Sequence, residues 1–197
     1  MPPRRGLDTD LVVDTAVTIV DTEGIEGLSL KRLADQLGVQ TPSLYNHVDG
    51  LAGLHRLLAL RNARMMADCM TVAVLGKAGT PALASLAQTY RDYIKAHPGL
   101  YALGVRPAQL VTPFDPERAA AEERMVTVAV AVVASFGLAG DDAIHAVRAL
   151  RSVVHGFTTL EVAGGFGIPL DLDESFHRLV EMLCIGLEAG RQPDASS

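Results

Sequence analysis

Tryptophan is absent from this 197-residue chain, aromatic residues make up only 5% of it, and cysteine occurs twice. With 49% apolar residues but so few rings, the interior must be built from Ala, Val and Leu, which suits packed helices. Two thiols, Cys69 and Cys184, lie far apart in apolar surroundings, and a disulfide between them is an open alternative that nothing in the sequence supports. Buried, reduced thiols of a cytosolic protein are expected instead. Long hydrophobic runs are missing too. The most apolar stretch, Met125 to Phe136, falls short of the roughly 20 residues that cross a bilayer. The amino terminus, Met1-Pro2-Pro3-Arg4-Arg5, leads into charged residues where a secretory leader would carry an apolar core. A cytoplasmic protein, with no membrane partner, is expected.

An excess of positive charge is also lacking. The net charge of -6 excludes a general nucleic-acid coat, whose affinity comes from neutralising phosphates. It leaves room for a local basic face, and Arg4, Arg5, Lys31 and Arg32 all lie near one end of the chain. There is no glycine-rich phosphate loop, no CxxC and no HExxH. His145 and His155 stand ten residues apart and do not share a helix face as two ligands at i, i+4 would. No catalytic residue, metal site or cofactor is therefore expected, and His55 and His177 read as solvated surface.

What the chain does have is a patterned stretch at residues 28–47. Ser29 can cap a helix through its hydroxyl, after which Leu30, Leu33, Ala34 and Leu37 fall on one apolar face. Gly38 stands where the chain must turn out of that helix, in a conformation cheap only for glycine. Val39 can plug the angle. Thr41 is a good N-cap and Pro42 a good first helical residue, since its missing N–H would go unbonded there. The second helix then offers Ser43, Tyr45, Asn46 and His47 outward while Leu44 and Val48 point in. A preceding helix over Leu11 to Val20, closed by Gly24, supplies Val12, Val13, Ala16, Val17 and Val20 as the third side of a small core. Such a unit is a helix-turn-helix presenting a short helix to the major groove.

Residues 10–58 resemble the DNA-binding domain of the TetR family of bacterial transcriptional repressors. The resemblance rests on Ala16-Val17, Gly24, Gly27-Leu28-Ser29, Leu33-Ala34, Leu37-Gly38-Val39 and, most family-specific, Leu44-Tyr45-Asn46-His47-Val48. It implies that Lys31, Gln40, Thr41, Pro42 and Tyr45 meet base edges, while Ser43, Asn46 and His47 meet phosphate or sugar. One position departs from the family pattern. The lysine usual at the start of the fourth helix, where it holds a phosphate, is replaced by Leu51 after Asp49-Gly50. Arg4 and Arg5 can compensate from a flexible arm.

The remainder reads as further helices. One spans Leu51 to about Leu75, and a linker follows at Gly76 to Pro81. Thr80-Pro81 starts a helix through His97, which Pro98-Gly99 breaks, and Leu100 to Val105 form a short turn. Residues 106–114 are a connection, and Asp115-Pro116-Glu117 open a helix to Phe136. The run Val126 to Val133 has strand-like composition, but length and neighbouring caps favour a buried helix. Asp141 or Asp142 starts a helix to about Val162, and Asp173 caps a last one ending near Gly190. The fold class is thus all-α, with a DNA-binding domain over 1–50, a helical effector-binding and dimerisation domain over 51–190, and a disordered tail over 191–197.

On the last two helices Val147, Leu150, Val154 and Phe157, then Phe176, Leu179, Val180, Leu183 and Leu187, form apolar stripes. Either stripe alone is equally compatible with the chain's own core. The resemblance implies that relatives pair through these two helices into a four-helix bundle. Arg151 to Glu161 and His97-Pro98-Gly99-Leu100-Tyr101 also resemble a regulatory domain found in part of the family. Tyr90, Tyr93, His97, Tyr101, Arg106, His155 and Phe157 gather the chain's scarce aromatic and hydrogen-bonding groups and are the candidate lining of a small-molecule pocket. The expected function is a homodimeric repressor that leaves double-stranded operator DNA when an effector binds. The rival is a helical small-molecule-binding or enzymatic protein with a vestigial helix-turn-helix.

Overall fold

The computed structural model describes residues 6–105 and 115–190. Arg4, Arg5, Arg106, the connection 106–114 and the tail 191–197 lie outside them. Among the described residues all regular structure is helical: α1 (Thr9–Glu23), a 3-10 turn (Ile25–Gly27), α2 (Leu30–Leu37), α3 (Thr41–Leu44), α4 (Gly50–Val74), α5 (Gly79–Ala96), α6 (Pro98–Val105), α7 (Pro116–Ala134), α8 (Gly140–Val162) and α9 (Leu172–Ala189). The β-branched run Val126 to Val133 lies inside α7.

Several helix starts differ from the expected ones. The N-cap of α9 is Asp171, whose Oδ1 accepts from the amides of Asp173 and Glu174 at 2.8 and 3.1 Å. Asp173 sits in the first turn instead. α6 opens at Pro98, two residues before Leu100, because proline is tolerated in a first turn where no N–H is needed. α3 takes Gln40 as its cap and Thr41 as its first residue. α8 starts at Gly140, which puts Asp141 and Asp142 in its first turn, where negative charge suits the helix dipole. α5 begins before Thr80-Pro81, at Gly79, whose amide donates to Ser135 Oγ at 2.8 Å.

The described chain divides into two compact units, the first within Met1–Arg64 and Ala96–Ala120, the second within Met65–Lys95 and Ala121–Ser197. The first reaches well past residue 50. Val12, Ala16, Val20, Leu33, Leu44, Leu54, Leu58 and Leu100 form its buried centre, each 0% exposed. Arg61 on α4 reaches Asp14 on α1 at 2.6 Å. Asp115 caps α7 through the amides of Glu117 and Arg118 and pairs with Arg56 at 2.7 Å. Burial works to raise the Asp115 carboxyl, but the Arg56 guanidinium and these two amides prevail and hold it below its ordinary value.

The second unit is centred on Leu83, Leu86, Ala87, Ile94, Val133, Val154 and Phe176. Both cysteines lie here and are free, but only Cys184 is buried; Cys69 is exposed. Cys69 therefore departs from the expected buried pair: it occupies an outward position of α4, beside Asp68. Burial pushes the Cys184 thiol upward. His55, expected on the surface, is half-buried on α4 in the first unit. No helix among the described residues is long and apolar enough to cross a membrane.

Candidate nucleic-acid interface

The helix-turn-helix is assembled by local bonds. Ser29 Oγ accepts from the Arg32 amide at 3.1 Å and caps α2. Gly38 adopts φ 67°, and the following Val39 amide returns to the Ala34 carbonyl at 3.0 Å. That closure ends α2 within one residue and aims the chain into α3. Leu44, 0% exposed, and Val48, 5% exposed, anchor the four-residue α3 on the core of the first unit. With those two positions fixed inward, Tyr45 is forced outward and is 61% exposed. Lys31, Gln40, Pro42 and Asn46 are also exposed, while Thr41, Ser43 and His47 are half-buried.

Arg32 does something the sequence did not reveal. Its Nε and Nη2 reach the Glu23 carboxylate, the latter at 2.6 Å, and Nη1 donates to Gln36 at 2.9 Å. The hydrogen bond from Arg32 lowers the Glu23 carboxyl from its ordinary value. Arg32 thus ties α2 to the end of α1, and Lys31 is the cation of α2 that points outward. Leu51, the position read as departing from the family pattern, is 37% exposed at the start of α4.

In the second unit the most elaborate polar arrangement centres on Arg91, which is 2% exposed. Its Nε and Nη2 each donate to Glu161 at 2.7 Å, and Nη2 also lies 2.7 Å from Asp173. Lys95 Nζ reaches Glu161 at 2.7 Å. The guanidinium stands over the rings of Phe176 and Phe157 at 4.8 and 5.7 Å, and Phe157 also packs on Phe166 at 4.9 Å. Hydrogen bonding to Arg91 holds the Glu161 carboxyl below its ordinary value. This paired, ring-flanked cation satisfies the condition under which a buried charge persists. Neither Arg91 nor Asp173 was among the expected functional residues. The available signal was register: Arg91 shares the inward stripe of Leu83, Ala87, Tyr90 and Ile94.

The candidate effector residues do not fall in one unit. Tyr90, Tyr93, His155 and Phe157 belong to the second, the tyrosines buried and the other two half-buried. His97 and Tyr101 belong to the first, where His97 Nδ1 lies 2.8 Å from Asp21 Oδ2. Among the described residues no group of three or more His, Cys, Asp or Glu is arranged to hold a metal ion.

A family model described as "Tetracyclin repressor-like, C-terminal domain" matches residues 83–183. An HTH-type transcriptional regulator from Bacillus subtilis, YobS, is 35% identical over 95% of this chain and 96% of its own. The chain belongs to the TetR family of transcriptional regulators. A second relative, the HTH-type transcriptional regulator Rv0681 of Mycobacterium tuberculosis, is 35% identical over 92% of this chain and 82% of its own. The fold is shared with a TetR variant from Acinetobacter baumannii solved in complex with minocycline, at a TM-score of 0.70 and 21% identity over 95% of this chain and all of that one. Membership in a family of regulators sets aside the enzymatic rival with a vestigial helix-turn-helix.

Within this TetR chain the two carboxy-terminal stripes are not free surfaces. Leu150, Val154, Phe176, Val180 and Leu187 are at most 8% exposed, buried within the chain itself, so these five are core and not interface. Val147, Leu179 and Leu183 are half-buried at the margin of that core. The exposed apolar side chains of α9 are instead Met182 and Ile185, at 62% and 66%. On α8 the exposed ones are Ile144, Leu160 and Val162, at 36%, 51% and 46%.

Proposed function

We propose that the protein is a homodimeric repressor that reads operator DNA with α3 and releases it when a small-molecule effector binds the second unit. The observation that carries this is the presentation of Tyr45, 61% exposed at the C-cap of α3 between the buried Leu44 and Val48. A tyrosine so exposed at the end of a short helix has no packing role in its own unit, and Gln40, Pro42 and Asn46 near it are all exposed. Lys31 adds a cation suited to guanine O6 and N7. Ser43 and His47, with Asn46, are assigned to phosphate and sugar, which fix register without carrying sequence information.

Dimerisation follows from the need to engage two half-sites. The face assigned to it is the outward side of α8 and α9, through Met182, Ile185 and their exposed neighbours. Tyr90, Tyr93, His155 and Phe157 are the groups assigned to the effector. The minocycline complex of the A. baumannii neighbour supports a small-molecule class without specifying it. Release requires that the effector bind the DNA-competent and DNA-incompetent states unequally. The protein acts in the cytoplasm, where its DNA is.

Tyr45→Ala and Lys31→Ala test the reading helix. Each is expected to lower specific operator affinity by about 1–3 kcal/mol with melting temperature unchanged, measured by fluorescence anisotropy. Unchanged affinity in both variants would move the interface elsewhere. Leu51→Lys tests the departure from the family pattern. It should tighten specific and random duplexes alike, and steepen the slope of log K against log salt by about 0.9 per added phosphate contact, roughly 1.8 per dimer. An unchanged slope in a folded variant would show that residue 51 does not face phosphate.

A further inference from the structure

Two adjacent cations, Lys31 and Arg32, stand in the first turn of α2. Lys31 is exposed, but Arg32 is half-buried and its guanidinium turns back on the chain. Nε lies 3.2 and 3.3 Å from the two oxygens of Glu23, Nη2 lies 2.6 Å from one of them, and Nη1 donates to Gln36 at 2.9 Å. The backbone makes room for this arrangement. Glu23 is the last residue of α1, Gly24 then adopts φ 74°, and the 3-10 turn Ile25–Gly27 brings the chain back beside the Glu23 side chain. At Gly27 an added Cβ would stand 2.6 Å from the Glu23 Cβ and 3.2 Å from its Oε2, so any other residue there would displace the carboxylate. All of these residues belong to the first unit.

The pair is open to water. The side chains of Arg32 and Glu23 are 40% and 38% exposed, and an exposed ion pair adds little to stability. Its consequence is for charge at the helix-turn-helix. A guanidinium fork fits a phosphate as it fits a carboxylate, and DNA affinity that is independent of sequence comes from neutralised phosphates. Arg32, next to Lys31, is a phosphate ligand by type and by place, but Glu23 already fills its fork. Asp35, exposed about one turn further along α2, adds another negative charge, and Leu51 supplies no cation at the start of α4. The DNA-reading end is thus built with its sequence-independent attraction held down.

We propose that Glu23 is an internal stand-in for a DNA phosphate, withholding Arg32 from the backbone of the duplex and so limiting the affinity that does not depend on sequence. Glu23 is a positioning residue in this role, acting through Arg32. Complexes with operator and with random DNA are both shorter-lived for it, because affinity differences among variants of one interface appear mostly as dissociation rates. This inference rests on the DNA-reading function proposed above.

The test compares Glu23→Gln, Asp35→Asn and the double variant Glu23→Gln/Arg32→Gln with the wild type, all as the full chain. The probes are a duplex selected by the wild type from a random-sequence pool and a scrambled duplex of equal composition, each titrated across salt concentrations. These side chains are exposed or half-buried and the replacements keep their size, so melting should not move. Glu23→Gln is expected to tighten both duplexes alike, by about twofold to fivefold per chain at low salt, the worth of one exposed ion pair. The two respond together because a phosphate contact carries no sequence information. The slope of log K against log salt should steepen by about 0.9 per chain. The double variant has no guanidinium to release and should return to the wild-type slope. Asp35→Asn removes one negative charge near Arg32 without freeing a cation, and should leave the slope unchanged. A Glu23→Gln slope no steeper than that of Asp35→Asn, or a steepening that survives in the double variant, would overturn the withheld cation while leaving DNA reading intact. So would a loss of affinity confined to the selected duplex, the mark of a tie that only props α2. A wild type that selects no duplex would overturn the DNA-reading function itself and this inference with it.

Discussion

Ile185→Glu is expected to convert a dimer into a folded monomer and to abolish operator binding at concentrations where the wild type saturates it. Ile185 is 66% exposed on α9, next to Met182 at 62%, so the folded monomer accommodates a glutamate there at little cost. In a two-fold interface the same change buries two unpaired carboxylates, each costing several kcal/mol, and every 1.4 kcal/mol is tenfold in affinity. The contrasting substitution is Val180→Glu. Val180 is 6% exposed in the chain's own core, so that variant should lose its folded state altogether. Light scattering and circular dichroism separate the outcomes. A stable Ile185→Glu dimer would place the interface on another face.

Gly99→Ala carries the second large effect. A Cβ at this position would stand 1.8 Å from the Val20 carbonyl oxygen and 2.4 Å from its carbon, both backbone atoms that cannot rotate away. α6 must then lift from α1, which strains the bond from the Leu100 amide to Asp21. Overpacking of this kind costs about 1–3 kcal/mol or more, and each kcal/mol lowers the melting temperature by roughly 2–4 °C in a chain of this size. Gly104→Ala is the internal comparison. Its Cβ would meet the Asn62 amide nitrogen at 2.1 Å, the far end of a side chain, and so its effect should be smaller. Equal melting temperatures for Gly99→Ala and the wild type would mean that α6 is not held at this point.

Local signals made the helix-turn-helix legible. Ser29 and Gly38 act on neighbours within a few residues, and the inward Leu44 and Val48 bracket the outward Tyr45 and Asn46 as expected, although α3 ends at Leu44 and Tyr45, Asn46 and His47 stand in the turn after it. The carboxy-terminal stripes were ambiguous for an equally physical reason. A stripe at helical spacing says that a face is buried but not against what. Leu150, Val154, Phe176, Val180 and Leu187 satisfy their stripe inside the chain, while Met182 and Ile185 form a second, shorter apolar face that periodicity ranked below it. Arg91 escaped notice because a charged residue in mid-helix ordinarily points to water. Its neutralisation requires Glu161 and Asp173, 70 and 82 positions away, a pairing no local pattern contains. The extent of the first unit was hidden likewise, since α6 joins it through Asp21 and Gly99, contacts that span some eighty residues.

The most direct measurement of the central claim is an anisotropy titration of the intact protein against the duplex upstream of its own coding sequence, repeated across salt concentrations. DNA reading by paired α3 helices predicts saturation at two chains per half-site pair, a steep fall of affinity with salt, and at least a thousandfold preference over a scrambled duplex, the lower end of specific recognition. Equal affinity for both duplexes, from a protein shown to be folded and dimeric, would contradict it.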